Sequence, residues 1–397
     1  MEGDKGPPPP PPLRWAASAS AVFSNDDLLR EILVRLGFPT FLVRAALVSQ
    51  RWLRHAADPT FLRRFRALHP PHLLGFYVDG IGTQRPPFVP VSQAPELAAA
   101  VSRCRFDDSF PELFRLIDCR NGRRLLFELS CSREANYRYA VLSPLRQAPA
   151  MVSLPLPPRT HPLDLPGPGY SHHAYFLPKD EDDGVVFGFL CIFRVNVSAH
   201  VYVLQSGKWV LRWTAETELS TAAAPWGFIM TTVRGKFYVV TLSGYIIGFD
   251  LAASSLFVVK LPDAVRMDGL RTNVKLLCGE DSRLFLVHGE GAQLSVWHHE
   301  NHADAARDWI LVDTITVLEA RNRGEDVLVL AVGDNAEFVF VGLEASGIFI
   351  CVNMRSRTET VHDVPMKCDM RSINILPNMM VWPPVFPALN GNHEQAE

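Results

Sequence analysis

Residues able to do chemistry are few and scattered. His298, His299 and His302, in the stretch "WHHENH", have spacings that suit a metal ion if they share a helix face. They follow an apolar run and lie among polar residues, so they read as a solvated turn with no fourth ligand nearby. His172 and His173 stand in a Gly/Pro/Tyr-rich loop and read the same way, as does the acidic run "DEDDG" at 180–184. No GxSxG, HExxH, Walker A or GxGxxG pattern occurs where it would do work. The hairpin-like stretches "GEDSR" (279–283) and "GDNAE" (333–337) lack the alternating carboxylates of a calcium loop. The residues therefore point to no catalytic group, no metal site and no cofactor.

The totals are those of an ordinary folded protein, with no lean toward nucleic acid or membrane. The net charge is −3 over 397 residues, which gives the whole molecule no pull toward phosphate backbones or anionic lipid. The charge is uneven: residues 1–69 hold ten Lys/Arg against six Asp/Glu, and the acidic excess lies in the remainder. A basic head on an acidic body suits an acidic partner for the head. Seven cysteines (104, 119, 131, 191, 278, 351 and 368) form no CxxC pair, which reads as reduced thiols in an intracellular protein. No signal peptide or membrane span is expected, and the cytoplasm, the nucleus or both are the expected location.

The elements that must position any site fall into four parts. Residues 1–22 carry six consecutive prolines and read as a disordered polyproline II tail. Residues 23–69 read as three helices. Ser24 and Asp27 form a capping-box pattern, with Phe23 and Leu28 as a hydrophobic staple. Leu28, Leu29, Ile32, Leu33 and Leu36 then make one helical stripe, which Gly37 ends. Pro39 opens a second helix that runs through Leu42, Ala45, Val48, Trp52 and Leu53, and Asp58-Pro59 opens a third. That apolar face is wider than so short a segment can hide alone.

From residue 70 to 385 the pattern is β, with short Val/Ile/Phe/Tyr runs set between Gly, Asp, Asn and Pro. "GKFYVVTLSGYIIGFDLAASSLFVVKLP" (235–262) and "AEFVFVGLEASGIFICVNMRSRTETVHDVP" (336–365) are copies of one repeat. Each has three strands, a Gly-containing first turn, an Asp or Asn closing the second strand, and a final Pro. Four strands recurring every 45–50 residues or so is the signature of propeller blades, about six of them here, with a β-sandwich pair as the structural alternative. Residues 386–397 read as a second disordered tail. The expected fold is mainly β with a small N-terminal α domain.

Residues 23–65 also carry a family resemblance. Asp26-Asp27-Leu28-Leu29, Ile32-Leu33, Arg35-Leu36, Pro39, Val48-Ser49-Gln50-Arg51-Trp52 and Asp58-Pro59-Thr60-Phe61-Leu62 follow, in order, the pattern of an F-box. Two positions depart from it: Ser24-Asn25 replaces Leu-Pro, and Ser49-Gln50 replaces Cys-Lys. "HPPHLLGFYV" (69–78), "LIDCRNGRRLLFE" (116–128) and "YAVLSPLRQAPAMVSLP" (139–155) resemble the F-box-associated β-propeller region of plant, especially grass, F-box proteins.

The resemblance implies a non-catalytic substrate-receptor subunit of a Skp–cullin–F-box ubiquitin ligase. Its F-box would dock a Skp-type adaptor, and through it a cullin, while the propeller captures a target protein. The residues it assigns to adaptor binding are Leu28, Leu29, Ile32, Leu33, Leu36, Phe38, Pro39, Leu42, Ala45, Val48, Trp52 and Leu53. Arg30, Arg35, Arg44, Arg51 and Arg54 would steer the head toward an acidic adaptor. The competing readings are a propeller scaffold outside the ligase and a propeller enzyme acting on glycans. Nucleic acid and membrane are not expected as partners.

Overall fold

The computed structural model describes residues 22–69, 72–80, 85–91, 95–106, 114–120, 124–129, 138–143, 151–156, 170–176, 185–193, 195–219, 229–233, 236–241, 243–265, 273–278, 283–299, 309–333, 337–362, 370, 373–380, 384 and 386. The proline run, the acidic run at 180–184 and His302 lie outside these residues. The chain divides into two compact units, one of residues 72–380 and one of residues 1–71 together with 381–397. The β unit therefore ends at Met380, not at the expected 385.

The first unit is helical, with α1 (Asp26–Val34), α2 (Pro39–Ala46), α3 (Gln50–Ala57) and α4 (Pro59–Leu68). Three helices were expected, and the second breaks in two. The Ser49 hydroxyl accepts the Trp52 N–H at 3.3 Å and so starts a new helix at Gln50. Asp58 does the same for α4, accepting the Phe61 N–H at 2.8 Å, with Pro59 at the first helical position.

The second unit is β. It opens with β1 (Leu73–Gly80), β2 (Phe88–Pro90) and the short α5 (Ala98–Arg103). Five four-stranded antiparallel sheets then follow in chain order. The first holds β3 (Phe114–Arg120), β4 (Arg124–Leu129), β5 (Arg138–Leu142) and β6 (Met151–Ser153). The second holds β7 (Tyr170–Phe176), β8 (Val185–Phe193), β9 (Asn196–Gln205) and β10 (Lys208–Glu218), and the third β11 (Ile229–Val233), β12 (Lys236–Val240), β13 (Tyr245–Asp250) and β14 (Ser255–Lys260). The fourth holds β15 (Val274–Cys278), β16 (Leu284–Glu290), β17 (Gln293–His299) and β18 (Trp309–Thr316). After α6 (Leu318–Arg323), the fifth holds β19 (Val327–Val332), β20 (Phe338–Leu343), β21 (Ile348–Asn353) and β22 (Thr358–His362).

This is a β-propeller with five complete blades, where about six were expected. The strands left over make a three-stranded sheet, β2-β1-β23, in which β23 (Ile373–Met379) comes from the far end of the chain. β23 lies beside both β19 and β3, so this composite sheet closes the ring between the last blade and the first. A buried polar cluster locks the closure. Asn378 Nδ2 donates to Cys104 Sγ at 3.0 Å, and the Tyr77 hydroxyl donates to the Cys104 carbonyl at 2.7 Å. Burial pushes the Cys104 thiol up to about 12, which keeps it protonated and inert.

Blade interiors read as unbroken apolar runs because both faces of each sheet are covered. Phe237 and Val239 on β12 face the preceding blade, while Tyr238 and Val240 face the following one. The repeat seen in the sequence has a physical basis in its turns. Asp250 accepts the amides of Ala252 and Ala253, and Asn353 accepts those of Arg355 and Ser356. The next position is left-handed in both copies, Ser254 at φ 51° and Arg357 at φ 59°. Outer strands are latched to the blade before. The Trp209 indole donates to the Pro155 carbonyl at 3.0 Å, and the Trp309 indole to the Lys260 carbonyl at 2.8 Å.

Asn273 ties the fourth blade to the fifth. Its amide donates to the Gly289 and Val327 carbonyls and accepts the Val329 N–H at 2.7 Å. Asn273→Ala orphans these backbone groups together, and a loss of about 1–3 kcal/mol in chemical denaturation is the expected outcome. An unchanged midpoint would show that the bridge contributes nothing.

Candidate functional site

The helical unit is built from its caps inward. Asn25, rather than the expected Ser24, caps α1: its side-chain oxygen accepts the Asp27 amide at 2.9 Å and the Leu28 amide at 3.1 Å. Asp26 and Asp27 occupy the first turn, where the helix dipole favours negative charge. Leu29 and Leu33 on α1, Leu42 on α2 and Phe65 on α4 are fully buried and form the core of the unit. His69 Nε2 lies 2.8 Å from the Val34 carbonyl and donates to it, satisfying the C-terminal end of α1.

A polar clamp holds α1 against α3. Arg51 Nε donates to Asp26 Oδ1 at 2.8 Å, and its terminal nitrogens donate to the Phe23 and Ser24 carbonyls. Arg30 Nε donates to His55 Nδ1 at 3.1 Å, which leaves His55 Nε2 to donate to Asp26 Oδ1 at 3.0 Å. Arg51, and after it His55, hold the Asp26 carboxyl below its usual range. A second pair, Arg64 with Glu31 at 2.6 Å, joins α4 to α1. Arg30 and Arg51, expected to steer a partner, are therefore occupied within the unit, while Arg35, Arg44 and Arg54 are exposed.

The twelve candidate docking residues divide by burial. Leu29, Leu33, Pro39 and Leu42 are buried and hold the helices to one another, so they present nothing to a visitor. Ile32, Leu36, Phe38, Ala45, Trp52 and Leu53 are half-buried. Leu28 and Val48 stand out, 45% and 65% exposed. Phe23 and Leu47, outside the twelve, are 40% and 50% exposed. Instead of stapling to Leu28, Phe23 lays its ring 5.5 Å from that of Trp52. Leu47 and Val48 are exposed because they fill the break between α2 and α3, which the Ser49-to-Trp52 capping spacing marks in the sequence. The result is four exposed apolar side chains, one of them Phe23 against the half-buried Trp52 indole, on a unit whose own core is already filled.

His298 and His299 are buried in β17, not in a solvated turn. His298 stacks 5.1 Å from Phe285 and His299 meets Trp309 edge-on at 5.0 Å, so both serve as core aromatics. His172 and His173 lie on β7, not in a loop. No group of three or more His, Cys, Asp or Glu side chains suited to a metal occurs among the described residues. No helix among them is long and apolar enough to cross a membrane.

The clamp gives a pH signature. Because the folded Asp26 carboxyl lies below its ordinary value of 3.8, its stabilisation is complete above that value and is lost as pH falls through the folded one. The stability gap between the native chain and Asp26→Asn is expected to be widest above about pH 5 and to close below about pH 4. Denaturation followed by helical circular dichroism across that range checks this; a gap independent of pH would remove the clamp.

Comparison with known proteins places the chain. A family model described as "F-box protein AT5G49610-like, beta-propeller" matches residues 115–386. The curated proteins give no match. Similar solved structures include the GH93 α-L-arabinofuranosidase of Fusarium graminearum in complex with arabinobiose, at 13% identity and TM-score 0.37, covering 64% of this chain and 80% of that one. A chain of a nidogen/laminin complex is 11% identical at TM-score 0.40, covering 77% and 100%. The β-propeller domain of Myceliophteria thermophila Cps50 (Swd1) is 12% identical at TM-score 0.35, covering 66% and 81%. With the family match spanning well over half its length, the chain belongs to the F-box proteins with an AT5G49610-like β-propeller.

Proposed function

We propose that this chain is the substrate-receptor subunit of a Skp–cullin–F-box ubiquitin ligase. The helical unit docks a Skp-type adaptor, and through it a cullin, while the propeller holds a target protein. One observation carries the reading: Phe23, which packs against Trp52, and Leu28, Leu47 and Val48 stay exposed although the unit's core is already filled by other residues. Exposed apolar side chains with an aromatic anchor among them are what helix-mediated docking uses. Exposed Arg35, Arg44 and Arg54 favour an acidic partner and act mainly on the rate of encounter.

No covalent step falls to the chain itself. It raises the local concentration of a target lysine near a ubiquitin carrier held elsewhere in the assembly, so its contribution is proximity. The reading places the protein in the cytoplasm, the nucleus or both, where ligase and target meet.

Leu28 and Val48 allow a clean test, since neither supports the fold. Burying one such side chain contributes about 1.5–3 kcal/mol. Leu28→Asp with Val48→Asp is expected to weaken binding to purified Skp-type adaptor by roughly a hundredfold or more, since each 1.4 kcal/mol is a factor of ten. Circular dichroism should be unchanged. Unaltered affinity in the double variant rejects the docking face.

A further inference from the structure

The C-terminal segment is the feature that neither the propeller nor the docking face explains. Residues 381–390 read "VWPPVFPALN", too apolar for a solvated tail and too rich in proline for a strand. Pro384 is buried. Phe386, expected at the start of a disordered tail, is half-buried and packs against the helical core that holds Leu29, Leu33, Phe61 and Phe65. The segment is grouped with the N-terminal helices and not with the β unit it follows. Ring closure supplies the route. Leu73 pairs with Met379, and the Met380 amide donates to the His72 carbonyl at 2.7 Å. The tail thus leaves the β unit beside the point where the chain arrives from α4.

We propose that the helical head is assembled from both ends of the chain, with Phe386 as a positioning residue for adaptor docking. This rests on the receptor reading above. Phe386 need not touch the adaptor; it completes the core that sets the helices behind the exposed apolar side chains. The head needs such help. Its helices are only 8 to 10 residues long, below the length at which isolated helices persist, so they depend on packing as well as on their caps and ion pairs. A unit of this size buries little apolar surface, so one more aromatic matters. Pro383, Pro384 and Pro387 restrict the unbound tail and lower the entropy lost when it packs.

The test compares the full chain with Phe386→Ala, Phe386→Asp, Phe386→Leu and a chain ended after Met380. Two quantities are read: amide hydrogen exchange across α1 to α4, and affinity for purified Skp-type adaptor. The Ala, Asp and shortened forms are expected to exchange faster in the helices while β20 and β21 stay protected. The same forms are expected to bind adaptor roughly tenfold more weakly, the effect of about 1.4 kcal/mol. Phe386→Leu should restore most of both. Unchanged helix exchange in Phe386→Asp overturns the proposal, and so does adaptor affinity that holds while the helices loosen. A native chain that does not bind adaptor at all overturns the receptor reading first and this proposal with it. A native chain that binds, with Phe386→Asp binding equally well, overturns this proposal alone.

Discussion

The pairing of β1 with β23 is the constraint on which the rest depends. It joins strands almost 300 residues apart and supplies the sheet that closes the ring between the fifth blade and the first. Without it, the faces of the first and fifth blades that pack beside β23 would be open to solvent. The closure is specified by chemistry as well as by apolar fit. Asn378 on β23 meets Cys104 beyond α5, and the Tyr77 hydroxyl on β1 fixes the same turn through a backbone carbonyl. Leaving any of these buried groups unpaired destabilises the closed ring, so a displaced β23 finds no equally good substitute.

The helical head follows a different rule. Its inward leucines and phenylalanines make a small core, to which polar caps and clamps are added. Asn25, Ser49 and Asp58 each start a helix, and Asp26 draws Arg51 and His55 to one carboxylate. These groups are exposed, so each contributes modestly, and their effect lies in fixing geometry. Of these, Ser49 fixes the turn between α2 and α3, where Leu47 and Val48 are exposed. The same sequence feature that breaks the helix therefore exposes these two side chains.

Much of this was legible in the sequence, and the failures have physical causes. The helical stripe of α1, the Asp58-Pro59 start of α4 and the two blade repeats each rest on a local signal that tertiary packing leaves intact. The break at Ser49 was hidden because apolar periodicity runs through it from Leu42 to Trp52, and periodicity cannot register a cap. His298 and His299 misled because histidine beside Glu and Asn looks solvated. Alternation with Leu294 and Val296 puts His298 on the buried face of β17, and Trp309 covers His299 from the other side. The blade count came out too high because it divided the whole β region by the repeat length, and part of that region forms the three-stranded sheet made from both chain ends. Of the twelve candidate docking residues, spacing marked the apolar ones but could not divide those facing inward, such as Leu29 and Leu33, from those facing out, such as Leu28.

Closure of the ring and completion of the head are linked through chain entropy. Before β23 pairs, Phe386 is tethered to Phe65 through about 320 residues; afterwards the path through the Met380–His72 contact is about a dozen. With loop-closure entropy scaling as the logarithm of length, that shortening is worth roughly 3 kcal/mol to the contact of Phe386 with the helical core. Phe386 therefore docks readily on a closed propeller and poorly on an open one. Long-range strand pairing is also the slow part of folding such a chain. The head would thus gain its last core residue only once the β unit is whole, and a chain with an unfinished propeller would hold its helices more loosely.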